Sequence, residues 1–233
     1  KTGIGYRTIC SNVQGKTSSA GGFQWTYQDD VCPGKHNVNG NGYKVPIVQL
    51  DSEYNFIKEF IDPQSILFKR KGSIDIKFGT GNRIAENKNN QLFLKTEVDY
   101  NFSLNQKNYI YIKNATYYLK SDEYLINELY RIGGTNSLRG FNENSLQGNT
   151  LSALMVEYRY LLNQSFYINT ITDFAYINDT ITKLDTKAYS FGIGLGIITK
   201  NGLFKLNYAN GNTSETDFKL KNSLFHLSLN TLF

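Results

Sequence analysis

The sequence predicts an all-β fold, about eight antiparallel strands forming part of a transmembrane β-barrel, with a small α+β segment ahead of them. Three observations carry that expectation. From residue 67 onward, apolar and polar residues alternate with a period of two. The chain holds 17 Tyr and 15 Phe beside one Met, one Trp and three Pro, a composition suited to strands and to the aromatic girdles of a barrel. No window approaches the roughly eighteen uncharged apolar residues of a spanning helix, whereas a barrel strand needs only about 9 to 11 residues with every second one apolar.

Two compositions meet near residues 61–70, which divides the chain into an expected segment 1–66 and an expected barrel portion 67–233. The formal charge is +5 overall, yet residues 1–66 net to zero, with six Lys/Arg against six Asp/Glu. The positive excess is spread along the second part rather than gathered in a run, which argues against a nucleic-acid tail there. Cys10 and Cys32 both lie in the first part and read as free thiols, with a disulfide as the alternative. Lys1 to Ala20 has no apolar core of a secretory signal, so the sequence reads as a fragment or an internal segment. Pro33 to Gly42, rich in Gly and Asn, reads as a flexible loop.

The strands follow in order. Ile74, Ile76 and Phe78 oppose Asp75 and Lys77. In Gln91–Leu104, Leu92, Leu94, Thr96, Val98, Tyr100 and Phe102 share one face, and Lys95, Glu97, Asp99 and Asn101 the other. Ile110, Ile112, Thr116 and Tyr118 mark the third strand, and a long loop follows. Val156, Tyr158 and Tyr160 then oppose Glu157 and Arg159, and Ile168, Phe174 and Tyr176 oppose Asn169 and Asp173. Phe191, Ile193, Leu195 and Ile197 oppose Gly192, Gly194 and Gly196, small residues that make room for something in the lumen or permit curvature. Phe204, Leu206 and Tyr208 oppose Lys205 and Asn207, and the last strand sets Phe225, Leu227, Leu229 and Phe233 against His226, Ser228 and Asn230. A soluble antiparallel sandwich would alternate as well. The aromatic apolar face and the charged opposite face favour lipid on one side and a wet lumen on the other, since a Lys or Arg facing lipid at the midplane costs about 2–4 kcal/mol.

The loop between the third and fourth strands reads ELYRIGGTNSLRGF, Glu128 to Phe141. This resembles the signature of the outer-membrane assembly family that includes BamA, TamA and the two-partner secretion transporters, also called bacterial surface antigens. The resemblance implies a loop tip, here Arg139, Gly140 and Phe141 after Gly133 and Gly134, folded back into the barrel. It also implies that acidic residues on the next two strands hold the arginine. The segments MVEYRY and ITDFAY match those strands and offer Glu157 and Asp173, of which Asp173 is the stronger candidate. A guanidinium in a confined lumen needs such a carboxylate to offset its desolvation, and glycine permits the tight turn. The glycines at 192, 194 and 196 would then make room for the loop.

The terminus NSLFHLSLNTLF resembles the outer-membrane recognition strand, with Phe225, Leu227, Leu229 and Phe233 on one face and Thr231 departing from the usual apolar residue. The resemblance spans the last eight strands of a sixteen-strand family barrel, without the first eight strands or the periplasmic POTRA modules. It implies a non-enzymatic factor of the bacterial outer membrane that inserts or exports outer-membrane proteins. Its partners would be membrane lipid, unfolded client proteins and other subunits of the assembly machinery.

Within the first segment, ICSNVQGKTSSAGGFQWTY and KVPIVQLDSEYNFIKEF resemble pieces of the nuclease-associated modular domain, the second being the hairpin that opens a repeat. That resemblance implies DNA contact by Lys16, Trp25 and Tyr27, and with it an alternative function as a DNA-binding module fused to a passenger β-domain. Against it, Trp25 and Phe23 suit a miniature core, and a net-neutral segment lacks the basic footprint of phosphate binding. His36 and His226 stand far apart without a metal-ligand pattern, and no catalytic set or phosphate-binding loop is present, so neither enzyme activity nor a cofactor or metal is expected.

Overall fold

The computed structural model describes residues 5–8, 47–61, 70–84, 88–124, 126–199, 202–214 and 219–231. Within them lie twelve strands: β1 (Gly5–Thr8), β2 (Ile47–Ile61), β3 (Arg70–Ile84), β4 (Lys88–Ser103), β5 (Asn108–Lys120), β6 (Tyr130–Ile132), β7 (Leu146–Gly148), β8 (Thr150–Asn163), β9 (Phe166–Asp179), β10 (Leu184–Thr199), β11 (Gly202–Thr213) and β12 (Leu224–Thr231). All except β6 and β7 form a single antiparallel sheet in chain order, in which the four-residue β1 covers only the start of β2. The strands β3–β5 and β8–β12 are the eight that alternation marks out. Lys16, Trp25, Tyr27, Cys10, Cys32 and Phe233 lie outside the described residues, as does most of the expected α+β segment.

One expectation is corrected here. The hairpin expected in the segment KVPIVQLDSEYNFIKEF does not form: Ile47–Ile61 is one unbroken strand, paired with β3 from Ile47↔Ile84 to Ile61↔Arg70. A register shift between Leu50 and Ser52 sets a bulge at Asp51, and beyond it Tyr54, Phe56 and Phe60 lie opposite Phe78, Ile76 and Gly72. The described sheet thus includes a strand ahead of residue 67.

Two faces of the sheet differ in what covers them. Outward residues such as Leu154, Phe174, Phe191 and Ile193 are exposed, and on β12 Phe225, Leu227 and Leu229 are 72, 64 and 62% exposed. A contiguous apolar surface of this kind is what hydrocarbon covers. Among the described residues no helix is long and apolar enough to cross a membrane. Inward residues on β8 and β9 are buried at every second position, Leu151 to Leu161 and Tyr167 to Asp179. The long β5–β8 loop covers part of this face, packing Ile132 and Leu138 against Leu151, Ala153, Ala175 and Ile177.

Short turns carry local side-chain caps that explain their sequence. Asn105 Oδ1 accepts from the backbone N–H of Lys107 and Asn108, both at 3.0 Å, and Asn163 Oδ1 accepts from Ser165 N–H at 2.8 Å. Asp179 closes the β9–β10 turn by accepting from Ile181 N–H at 3.0 Å, and Lys183 in that turn takes φ 57°.

Candidate functional site

The loop enters the sheet's inner face as a small two-stranded ribbon. β6 and β7 pair from Tyr130↔Gly148 to Ile132↔Leu146, and Gly133 and Gly134 reverse the chain at φ 120° and 95°, a region open to glycine at little cost. Leu138 carbonyl accepts from Gly134 N–H at 2.9 Å, and the Ser137 hydroxyl bridges to Gly133 at 2.9 Å, so the tip is a closed turn. Ile132 and Leu138 are buried against Leu151, Ala153, Ala175, Ile177 and Ala188 of the wall, with Tyr117, Tyr130, Phe141 and Leu146 packed around them. Tyr117 and Tyr130 stack with centroids 4.8 Å apart. The inner face thus offers the loop an apolar patch on β8, β9 and β10.

Next to this apolar patch sits Arg139, only 1% exposed. Its Nε and Nη2 donate to Asp173 Oδ2 at 2.9 Å and Oδ1 at 2.6 Å, a bidentate pair, and its backbone N–H donates to Oδ2 at 3.1 Å. Its Nη1 donates to Glu157 Oε1. Glu157 is shared: Arg159 Nε donates to its Oε2 at 2.6 Å. Among the described residues, every hydrogen bond to the Asp173 carboxylate comes from Arg139. Two guanidinium groups and two carboxylates thus sum to zero charge inside the sheet, the condition under which buried ions are tolerable.

The support beneath this quartet comes from adjacent strands. The Arg159 guanidinium lies 4.0 Å from the centroid of the Tyr111 ring and 5.8 Å from that of Tyr167. Tyr167 is opposite Gly196 in the β9–β10 register, and a Cβ at 196 would stand 2.2 Å from the Tyr167 ring. A Cβ at 194 would meet Asn207 and Asn169 side chains at 2.2 and 2.8 Å. So the space left by Gly194 and Gly196 is filled by neighbouring wall side chains, not by the loop, which corrects that expectation. The glycine that accommodates the loop is Gly211 on β11: a Cβ there would be 2.5 Å from both the Gly140 carbonyl and the Phe141 ring.

Four further contacts have no motif to announce them. Gly140 N–H donates to His226 Nε2 on β12 at 2.9 Å. Asn149 ties the loop's exit to β5 and the β9–β10 turn, donating to Leu119 carbonyl at 3.1 Å and accepting from Thr180 N–H at 3.2 Å. The Tyr124 hydroxyl donates to Asp179, and burial together with that hydrogen bond pushes its pKa up. Gln91 Nε2 on β4 donates to Glu128 Oε1 at 3.0 Å, anchoring the loop's entry. Farther round the wall, Glu97 pairs with Lys95 at 2.9 Å and Lys113 at 3.3 Å and accepts from the Tyr117 hydroxyl at 2.8 Å, which keeps the charged inner face of β4 and β5 neutralised.

The profile of the Omp85 superfamily domain matches residues 62–233. The chain belongs to the Omp85 superfamily. The match takes in β3 to β12 and begins just after β2, whose full-length pairing with β3 continues the Omp85 sheet N-terminally. Omp85 domains are β-barrels of the bacterial outer membrane, and family members are non-enzymatic factors of protein assembly and translocation. No curated protein matches the chain.

Proposed function

We propose that this chain is an outer-membrane barrel segment of a factor that inserts or exports outer-membrane proteins, with Arg139 pinning the inward loop to Asp173 and Glu157. The burial of Arg139 in a charge-neutral set contributed by the loop, β8 and β9 is the observation that supports this reading. A lone buried guanidinium has a desolvation cost that only such partners offset, so the loop's inward position is specified rather than incidental. The outward apolar face supplies the lipid contact, and Phe225, Leu227 and Leu229 lie on the lipid side of the terminal strand.

Its partners on this reading are membrane lipid, unfolded outer-membrane clients and other subunits of the assembly machinery. The sheet presents two edges, β2 from Asp51 onward and the outer side of β12, that pair with no strand among the described residues. In a bilayer such edges need further strands. The test is vesicles carrying the protein, offered a urea-denatured outer-membrane protein whose folded form migrates differently on a gel. Faster folding of the client than in empty vesicles, reduced by Arg139→Ala, is the expected result; equal rates with and without the protein would overturn it.

A further inference from the structure

The tripeptide Arg139–Gly140–Phe141 touches far more of the wall than the arginine alone. Arg139 reaches β8 and β9 through Glu157 and Asp173. One residue on, Gly140 lies backbone-to-backbone on β11: a Cβ on Gly140 would stand 2.5 Å from Gly211 N, and its φ of 80° is one that side chains rarely adopt. The same residue donates its N–H to His226 Nε2 of β12 at 2.9 Å. Three consecutive residues therefore bear on β8, β9, β11 and β12.

His226 is half of a hydrogen bond that bridges two parts of the molecule with unequal support. Among the described residues β12 is a short edge strand whose one ladder is with β11, from Ala209↔Leu224 to Gly202↔Thr231. His226 lies near the start of that ladder, opposite Asn207, and points inward while Phe225 and Leu227 point out. As an acceptor through Nε2, the ring is neutral and carries its proton on Nδ1. The charged groups facing it are Glu143 and Arg139 from the loop and Asp173 from β9.

We infer that His226 is a positioning residue that couples the terminal strand to the pinned loop, so that displacement of β12 from β11 is felt at Gly140, and withdrawal of the loop loosens β12. The inference stands on this geometry and not on the transport reading. A strand with one ladder among the described residues is held by few bonds, and each added bond shifts its local opening equilibrium. Asn and Gln carry a side-chain carbonyl that can accept in place of Nε2, and Gln has the reach closer to that of the imidazole.

The experiment is amide hydrogen exchange on the lipid-reconstituted protein, comparing wild type with His226→Ala and His226→Gln. In His226→Ala, exchange should rise about two- to tenfold both at Gly140 and along Leu224–Thr231, the range expected from one lost hydrogen bond. The β6–β7 ribbon should stay protected, because Arg139 and the apolar contacts still hold it. His226→Gln should return both segments toward wild type. Faster exchange at Gly140 with β12 unchanged would overturn the coupling, as would a His226→Gln protein indistinguishable from His226→Ala. If His226→Ala fails to insert, His226→Phe, which fills the space of the ring without an acceptor, is compared with His226→Gln: faster exchange at both Gly140 and Leu224–Thr231 in the Phe variant supports the coupling, and equal exchange in the two variants overturns it.

Discussion

Removing the Arg139 side chain tests the buried quartet most sharply, because its two carboxylates are not equivalent. Asp173 receives three hydrogen bonds from Arg139, while Glu157 keeps Arg159 at 2.6 Å when Arg139 is lost. Arg139→Ala therefore strands a single buried carboxylate, which costs about 3–5 kcal/mol. Asp173→Asn leaves the opposite excess, two guanidinium groups against Glu157, at a cost of similar size. In the double variant the remaining Glu157–Arg159 pair is neutral by itself, so the two losses should not add: the pair should be less destabilising than their sum by about 2–3 kcal/mol. The assay is equilibrium unfolding in denaturant of the protein in lipid, followed by circular dichroism and by gel mobility. Additivity within about 0.5 kcal/mol would refute the claim that Asp173 exists to neutralise Arg139.

Other expectations follow from neighbouring contacts. Arg159→Met should destabilise by about 3 kcal/mol in the same unfolding assay, since Glu157 then keeps one guanidinium instead of two and Tyr111 loses the cation stacked on it. Gly140→Ala should cost about 1–3 kcal/mol and raise protease sensitivity within the loop, because both the positive φ and the approach to Gly211 N exclude a methyl group. Ile193→Arg, on the outward face of β10, should cost about 2–4 kcal/mol in lipid if it sits near the midplane, and unchanged stability there would mean that this face does not meet lipid. Tyr124→Phe should leave the strands intact while increasing exchange at Ile181 and Thr182, whose turn the Tyr124–Asp179 contact braces.

How much of this was legible in sequence depends on the range of the interaction. Period-two alternation is a property of a single strand, so the facing of Glu157, Asp173, Lys95 and Glu97 could be read from spacing and agrees with the burial seen in β8 and β9. The second register was harder. Segment 44–60 mixes Asp51, Glu53 and Glu59 with apolar residues, and the bulge at Asp51 breaks the period, so no clean alternation marks the strand and its hairpin reading rests on the family resemblance alone. The glycines at 194 and 196 are visible in sequence, but what fills the space above them is decided by the β9–β10 register that puts Tyr167 opposite Gly196.

The site divides the same way. Arg139 and its carboxylates were found because a motif and two strand patterns converge on them. The apolar docking patch was not, because Leu151, Ala153, Ala175, Ile177 and Ala188 occupy inward positions where a wet lumen leads one to expect polar groups. They become intelligible only once Ile132 and Leu138 are laid against them. His226 and Gly211 contact the loop across 86 and 71 residues of sequence, and Asn149 at the loop's exit reaches Leu119 across 30; no local signal distinguishes the three from other polar or small residues. Alternation did place His226 on the inner face, which is the one trace of its role.

On the proposed reading this chain forms a lipid-facing sheet whose inner loop is held by Arg139. Gel migration of the lipid-reconstituted protein, with and without boiling, tests it most directly when run beside Arg139→Ala. A compact band that boiling converts to a slower one, and that loosens in the variant, is the predicted result. A protein that stays monomeric and soluble in buffer without detergent, with migration unaffected by heat or by loss of the arginine, would contradict it.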